Sequence, residues 1–571
     1  MSGHGKEAVR LCERIVCQSF GLVVARVAST LLNRGRLPVP AIARLAGMSP
    51  MTVMASLLIL MQHSLVQSSG ASAKDTGEEE EYEFVPQECM LRLRWGRILT
   101  ITAERYDNAA VEVVRQIMLY GHLPISELIS ACGDASNTQK SEAIIMSIIT
   151  LLQNNFLCTT DPDQQILESE HIARRFAQIK RRTAQSKGSS LLSANDIQNC
   201  LLEATHETRV HLRAVCIPSR ALIKREKMEK EKKNRKKTNQ ILNQEEYSYD
   251  LKKDIHIRIN YDRYGVLIRN GLIAKAAEDR WNQGAGIVMR AALEASLSDT
   301  SSLSDDRTHD PVSLNSILPK IPPSSGPLLL AGISASSKTS VPDLVRSYLS
   351  MMAGEDHSAG TGVTFLSREG STNPMYRIEI ENICAKLREG VVMDMVREKL
   401  GDKAARVLEV VRRSAKAFET TIRDCAMLPL STARFHLASL QRLSLIETQE
   451  VPKTGAKINP SKGRPVGSVG ADYHLWAVDM PRVYSVVLSG VYKTLGNILQ
   501  RRHIEIERRR LVLAREDRVK LCEGGRGLLQ LKDQEELAEL DDALNKLTLA
   551  ELRSELVVFV LRDLPGWPGK I

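Results

Sequence analysis

Residues Val27–Val66 read VASTLLNRGRLPVPAIARLAGMSPMTVMASLLILMQHSLV, and the reading of this stretch decides the fold. Val27, Leu31 and Leu32 recur at helical spacing, and Gly35 ends that helix. Pro38 or Pro40 opens a short second helix carrying Ile42, Leu45 and Ala46, which Gly47 closes. Ser49-Pro50 is an N-cap followed by proline at the first helical position. The third helix sets Val53, Leu57, Leu60 and Met61 on one face. Leu65-Val66-Gln67 and Tyr82–Val85 alternate like the paired strands of a β-wing. Three helices and a two-stranded wing predict a winged helix-turn-helix.

The pattern repeats. Val407–Ile446 aligns on Val27–Val66 without a gap, at a shift of 380 positions: Val411 falls on Leu31, Ile422 on Ile42, Ala426 on Ala46, Leu437 on Leu57 and Leu440 on Leu60. A second copy follows the first, with Gly121 in the place of Gly35, Leu123-Pro124 of Leu37-Pro38 and Leu152–Leu157 of Met61–Val66. A third is expected from Leu314–Leu318 and Val341–Met352, with Val363–Leu366 and Met375–Ile380 as its wing. The fourth wing is expected at Ile446–Val451 and Tyr473–Ala477. Beyond residue 480, Leu499, Ile506 and Leu513 lie seven apart, Gly524, Gly525 and Gly527 mark a turn, and Leu537, Leu540, Leu544 and Leu547 show seam spacing, repeated after a phase slip by Leu549, Leu552, Leu556 and Phe559. The expected organisation is winged helices at 1–100, 101–162, 253–383 and 384–480, a helical and basic linker at 163–252, and a C-terminal antiparallel coiled-coil hairpin at 481–571. The linker contains a helix, Ile172–Gln185, followed by polar spacer.

Chemistry is harder to find. The run Leu328–Thr339 sets Gly332, Lys338 and Thr339 at phosphate-loop spacing, but Ser337 stands where the second glycine must let backbone N–H groups close on phosphate. The histidines show no H-E-x-x-H pattern, and His63 and His436 on the third helices read as structural. Ten scattered cysteines without a C-x-x-C pair predict reduced thiols and no zinc site. No catalytic, cofactor or metal residue is assigned. The N-terminus lacks an apolar leader core, and no run of about 18 apolar residues occurs, so no membrane span is expected.

The formal net charge of +10 suits a polyanion partner, and its placement matters more than its size. In a DNA-reading module the third helix meets the major groove. Ser49–Ser64 contains no Lys or Arg, and Asp75, Glu78, Glu79, Glu80, Glu81 and Glu83 make the first wing acidic. The second unit offers Lys140 and the third Arg346; the fourth carries Arg434 and Arg442. Met51, Met54 and Gln62 are therefore candidate protein-docking residues. Candidate DNA contacts are Arg434, the fourth-wing cations Lys453, Lys457, Lys462 and Arg464, and Lys232, Lys233, Arg235 and Lys236 in the basic run Lys224–Lys237. That run also suits nuclear import.

The ordered set Leu11-Cys12, Phe20-Gly21, Leu57–Val66, Arg92–Ile98 (RLRWGRI), Asn260–Arg263 (NYDR), Phe435–Leu445, Glu450–Thr454 (EVPKT) and Tyr473–Trp476 (YHLW) resembles the large subunit of the RNA polymerase III-specific heterotrimer, a family related to the alpha subunit of TFIIE. The resemblance covers nearly the whole chain and departs at Val466–Ala471 and Ser324–Thr339. It implies a mainly α fold with small β-wings, four tandem extended winged helices and a C-terminal coiled coil. It also implies a nuclear, noncatalytic subunit docked on the polymerase clamp, with the largest subunit and two other heterotrimer members as partners. Such a subunit would assist opening of promoter DNA, double- and single-stranded, in small-RNA gene transcription. A free-standing winged-helix regulator is the alternative, disfavoured by the uncharged first third helix.

Overall fold

The computed structural model describes residues 5–70, 79–132, 138–187, 193–215, 221–225, 248–252, 254–298, 301–332, 340–354, 364–370, 374–451, 473–520 and 525–566. Two compact units are formed, residues 1–267 with 495–552 and residues 268–494 with 553–571.

The first unit opens with α1 (Lys6–Phe20) and α2 (Leu22–Arg34), followed by β1 (Leu37–Pro38), α3 (Val39–Ala46), α4 (Pro50–Gln62), β2 (Val66–Ser68) and β3 (Glu81–Phe84). Gly47 ends α3 in the left-handed region, and the Ser49 hydroxyl accepts the Thr52 N–H at 3.2 Å to start α4. Val53, Leu57 and Leu60 turn inward with Leu31 and Ile42. Strand β3 pairs with both others, Tyr82 opposite Leu37 and Phe84 opposite Val66.

After α5 (Pro86–Leu91) come α6 (Trp95–Arg105), α7 (Asn108–Tyr120), β4 (Leu123–Pro124), α8 (Ile125–Cys132), α9 (Thr138–Gln153) and β5 (Leu157–Thr160). Ile98 of α6 is buried with Val113, Ile148, Leu157, Ile257 and Tyr264. Helix α6 thus belongs to the second core, which corrects the boundary expected at residue 100. The last strand of this module is not near β5 in sequence. Two helices, α10 (Glu168–Lys187) and α11 (Ala194–Val215), and a hairpin of β6 (Leu222–Arg225) and β7 (Ser248–Leu251) come first. Then β8 (His256–Ile259) pairs antiparallel with β4 and β5, Ile259 opposite Leu157 and Ile257 opposite Leu123. The segment expected as a linker between domains is an insertion between two strands of one wing. The third winged helix therefore does not begin at 253, and a second helix, α11, replaces the expected spacer.

The chain continues through α12 (Tyr261–Arg280) to α13 (Gln283–Ala295), β9 (Val312–Ser313), α14 (Leu314–Ile317), α15 (Gly326–Ala331), α16 (Val341–Met352), β10 (Leu366–Glu369) and β11 (Met375–Ile378). The first wing strand here lies at Leu366–Glu369, later than the expected Val363–Leu366, of which 363 is outside the described residues. Next come α17 (Ile380–Leu400), α18 (Asp402–Arg413), β12 (Lys416–Ala417), α19 (Glu419–Ala426), α20 (Leu430–Arg442), β13 (Glu447–Val451) and β14 (Tyr473–Ala477). Leu31, Ile42, Leu57 and Leu60 and their counterparts Val411, Ile422, Leu437 and Leu440 are all buried.

Among the described residues, four three-stranded sheets share one order, with the last strand central. The chain leaves a third helix each time through a residue of positive φ: Ser64 (56°), Asn155 (60°), Gly354 (76°) and Ser444 (57°). A left-handed residue costs about 1–2 kcal/mol outside glycine; its recurrence at three non-glycine positions marks a turn imposed by the wing. These are winged-helix domains in a mostly helical chain.

Finally come α21 (Met480–Arg508), α22 (Arg510–Val519) and α23 (Leu531–Val558), joined by ion pairs whose partners run in opposite chain order. Arg502 pairs with Glu551, Arg509 with Glu539 at 3.3 Å and Arg515 with Asp533 at 2.9 Å. Leu499, Leu537 and Leu540 are buried, but Ile506 and Leu549, expected in the seam, face outward. The break at Arg509 between α21 and α22 shifts the phase that a seven-residue repeat would have kept.

Candidate docking surface and nucleic-acid interface

Helix α4 buries one face and leaves the other apolar. Met51 is 78% exposed, Met54 51% and Leu58 67%; Ile59 and Leu45 of α3 are also exposed. Met51, Met54, Leu58 and Gln62 are spaced 3-4-4, so the candidate docking residues share one stripe. The sequence reading missed Leu58 and Ile59, whose positions beside buried Leu57 and Leu60 were the available signal. An exposed apolar stripe of this kind is a candidate contact face for another protein. The wing beside it is acidic, but Glu81 and Glu83 lie 4.0 and 3.5 Å from Arg36, which also holds Glu170 at 2.8 Å.

Helix α20 presents a different surface from the same positions. At the shift of 380, Met51, Met54, Ala55, Leu58 and Gln62 become Ser431, Arg434, Phe435, Ala438 and Arg442, all exposed. Arg434 lies against the Glu419 carboxylate of α19, its Nη2 donating at 3.2 Å. Phe435, exposed and stacked edge-on against His436 at 5.4 Å, went unnoticed in the sequence. His436 itself is buried, in keeping with a structural role. Lys453, Lys457, Lys462, Arg464, Lys232, Lys233, Arg235 and Lys236 lie outside the described residues.

The RLRWGRI run forms a junction. The Arg92 guanidinium sits 4.6 Å from the Phe20 ring and 4.0 Å from the Trp95 ring, and Trp95 Nε1 donates to Tyr261 Oη at 3.2 Å. Arg97 donates to the Leu552 carbonyl of α23 at 3.0 Å. His63 lies 4.8 Å from Phe20 and 3.4 Å from Arg92, beside a cavity of about 40 Å³ also lined by Arg92, His122, Arg258 and Tyr261. Burial, then the charges of Arg92 and His122, push the His63 pKa down to about 3. The unfolded chain, with His63 titrating near 6.5, binds this proton first, so stability is full above 6.5 and falls as pH drops toward 3. His63→Gln is expected to flatten the acid limb of a stability–pH curve in that window; an unchanged limb would remove His63 as its cause.

The phosphate-loop-like run is resolved differently. Its apolar lead-in, Gly326–Ala331, is helix and not the strand such a loop follows. Gly332 serves packing: a Cβ there would sit 2.3 Å from Tyr348 Oη and 2.4 Å from Asn282 Nδ2. Residues 333–339, with Ser337, Lys338 and Thr339, lie outside the described residues.

Three family models match along the chain: the RNA polymerase III subunit RPC82 helix-turn-helix domain at residues 10–69, RNA polymerase III subunit RPC82 at 146–358, and the POLR3C C-terminal winged-helix domain at 392–464. DNA-directed RNA polymerase III subunit RPC3 of Homo sapiens is 22% identical over 97% of this chain and 97% of its own length. The Danio rerio protein of that name is 21% identical over 98% of both, and that of Aspergillus clavatus 23% over 88% and 91%. The chain belongs to the RPC3/RPC82 family. In RPC3 terms, the helix-turn-helix match contains α2 through α4 with their apolar stripe, and the C-terminal match contains α18 through α20 with Arg434 and Phe435.

Proposed function

We propose that this chain is a noncatalytic, nuclear subunit of DNA-directed RNA polymerase III, built as four tandem extended winged helices and a C-terminal coiled-coil hairpin. It docks on the polymerase clamp through the α4 stripe, works with two partner subunits, and assists promoter opening. Promoter DNA meets Arg434 and the cations of the fourth wing and the basic run. The observation that carries the reading is the match to RPC3 proteins along almost the full length of both chains. The division of labour rests on the contrast between α4, apolar and free of Lys and Arg, and the equivalent α20 face with Arg434 and Arg442.

Tagged protein should recover the multisubunit polymerase from nuclear extract; recovery of the chain alone would favour a free-standing regulator. Met51→Glu with Met54→Glu should lower polymerase recovery about tenfold or more, since each charge must be desolvated in an apolar interface at a cost of a few kcal/mol. Duplex binding by the isolated chain should not change. Normal recovery with lost DNA binding would reverse the assignment of this face.

A further inference from the structure

The insertion between β5 and β8, residues 161–255, holds 20 lysines and arginines against 14 aspartates and glutamates, which is +6 of the chain's +10. Its helices α10 and α11 pack around Ile179, Cys200 and Ala204. The start of α10 is held against the first wing. Leu167 N–H donates to the Ser68 carbonyl at 3.0 Å, Glu170 binds Arg36, and Arg174 donates to the carbonyls of Ser69 at 3.2 Å and Gly70 at 2.9 Å. Carboxylates of the pair are engaged there too, Glu168 with Arg209 at 3.3 Å and Glu207 with Arg175 at 3.8 Å. Further along α10, Lys180, Arg181 and Arg182 are exposed, and among the described residues none has an acidic partner. Glu203 of α11 is the one exposed carboxylate in the stretch of that helix between Asn199 and Glu207.

We propose that Lys180, Arg181 and Arg182 form a sequence-independent contact with the phosphates of duplex DNA. Three consecutive helical residues rise only about 3 Å along the axis while fanning through roughly 200°, so Arg181 faces a duplex directly and the long Lys180 and Arg182 side chains reach it from the two flanks. That places three cations within one short segment, a density that duplex DNA matches with a phosphate charge every 1.7 Å or so of its axis. A helix anchored at its base presents them without first being ordered. The wing insertion thereby becomes an arm for DNA and not a spacer between domains. The proposal deepens the reading of the chain as a DNA-guiding polymerase subunit, but duplex binding by the isolated chain tests it separately from assembly.

The experiment is a salt titration of binding to a random-sequence duplex by the full-length protein, between about 50 and 200 mM salt. Each lost phosphate contact removes about 0.9 from the log–log slope. The Lys180→Ala, Arg181→Ala, Arg182→Ala triple variant should lower the slope by about two to three units with no change in sequence preference. Arg181→Gln alone should lower it by about one, and it decides the matter if the triple variant fails to fold. Unchanged slopes in both would overturn the proposal. So would an unchanged slope accompanied by lost binding to poly-glutamate, which would assign the ridge to an acidic polypeptide. Loss of polymerase recovery with wild-type protein would instead overturn the assembly reading and leave this one standing.

Discussion

Arg388→Ala is expected to destabilise the second unit by about 3–5 kcal/mol, from lost hydrogen bonds to a charged group and the buried carbonyls left unpaired. The side chain is only 2% exposed, on α17. Its guanidinium donates to the carbonyls of Leu564 at 2.8 Å, of Pro565, and of Gly566 at 3.2 Å. These carbonyls end a buried plug made by Phe559, Val560, Leu561 and Leu564. Alanine would leave acceptors without donors and a cavity where the guanidinium lay, and each hydrogen bond to a charged group contributes about 1.5–3 kcal/mol. Burial lowers the Arg388 pKa, and Cys384, Tyr484 and Glu381 nearby oppose that shift. Hydrogen exchange of the C-terminal amides should rise first, with a fall in the melting temperature. Arg388→Lys should lie between, since one ammonium lacks the planar fork that reaches three carbonyls. Wild-type exchange at residues 559–566 in the alanine variant would show that the segment is held without this arginine.

Gly121→Ala should cost about 2–6 kcal/mol, whereas Gly35→Ala, at the equivalent position of the preceding module, should cost about 1–3. Backbone angles at the two glycines are nearly the same, φ 84 and ψ −145° at Gly35 and φ 83 and ψ −140° at Gly121. Strain on adding a side chain is therefore shared. Surroundings differ: nothing lies within 4 Å of a Cβ at Gly35, but at Gly121 it would be 2.3 Å from the Gln62 carbonyl oxygen. That oxygen accepts the His122 N–H at 3.1 Å, so α4 and α7 would have to part. Denaturant unfolding of both variants isolates the contact by difference. Equal losses would mean that the close approach contributes nothing beyond the backbone strain.

Much of the fold was legible because its causes are local. Ser49-Pro50, Gly35, Gly47 and the spacing of Val53, Leu57 and Leu60 act within a turn or two of helix, and their signatures survive a shift of 380 residues. The apolar, uncharged character of the α4 stripe was legible for the same reason. Charge placement on α20 was only half legible: Arg434 is visible in sequence, but its Glu419 partner comes from another helix. The role of RLRWGRI as a junction could not be read, because Phe20, Tyr261 and Leu552 are remote in the chain.

The pairing of β8 with β5 is not written in either strand's residues, for a physical reason. Strand pairing is made by backbone groups that every sequence possesses, so no residue in His256–Ile259 names Leu157–Thr160 as its neighbour. Loop closure entropy grows only logarithmically with length, so about a hundred inserted residues hardly weaken the wing that encloses them. Composition alone determined that a basic helical segment lay between residues 163 and 252. Only the tertiary structure decided that it is carried by one wing, with Glu168 and Glu207 engaged and Lys180, Arg181 and Arg182 left facing solvent, because which cations find carboxylates depends on chain segments that meet only after folding.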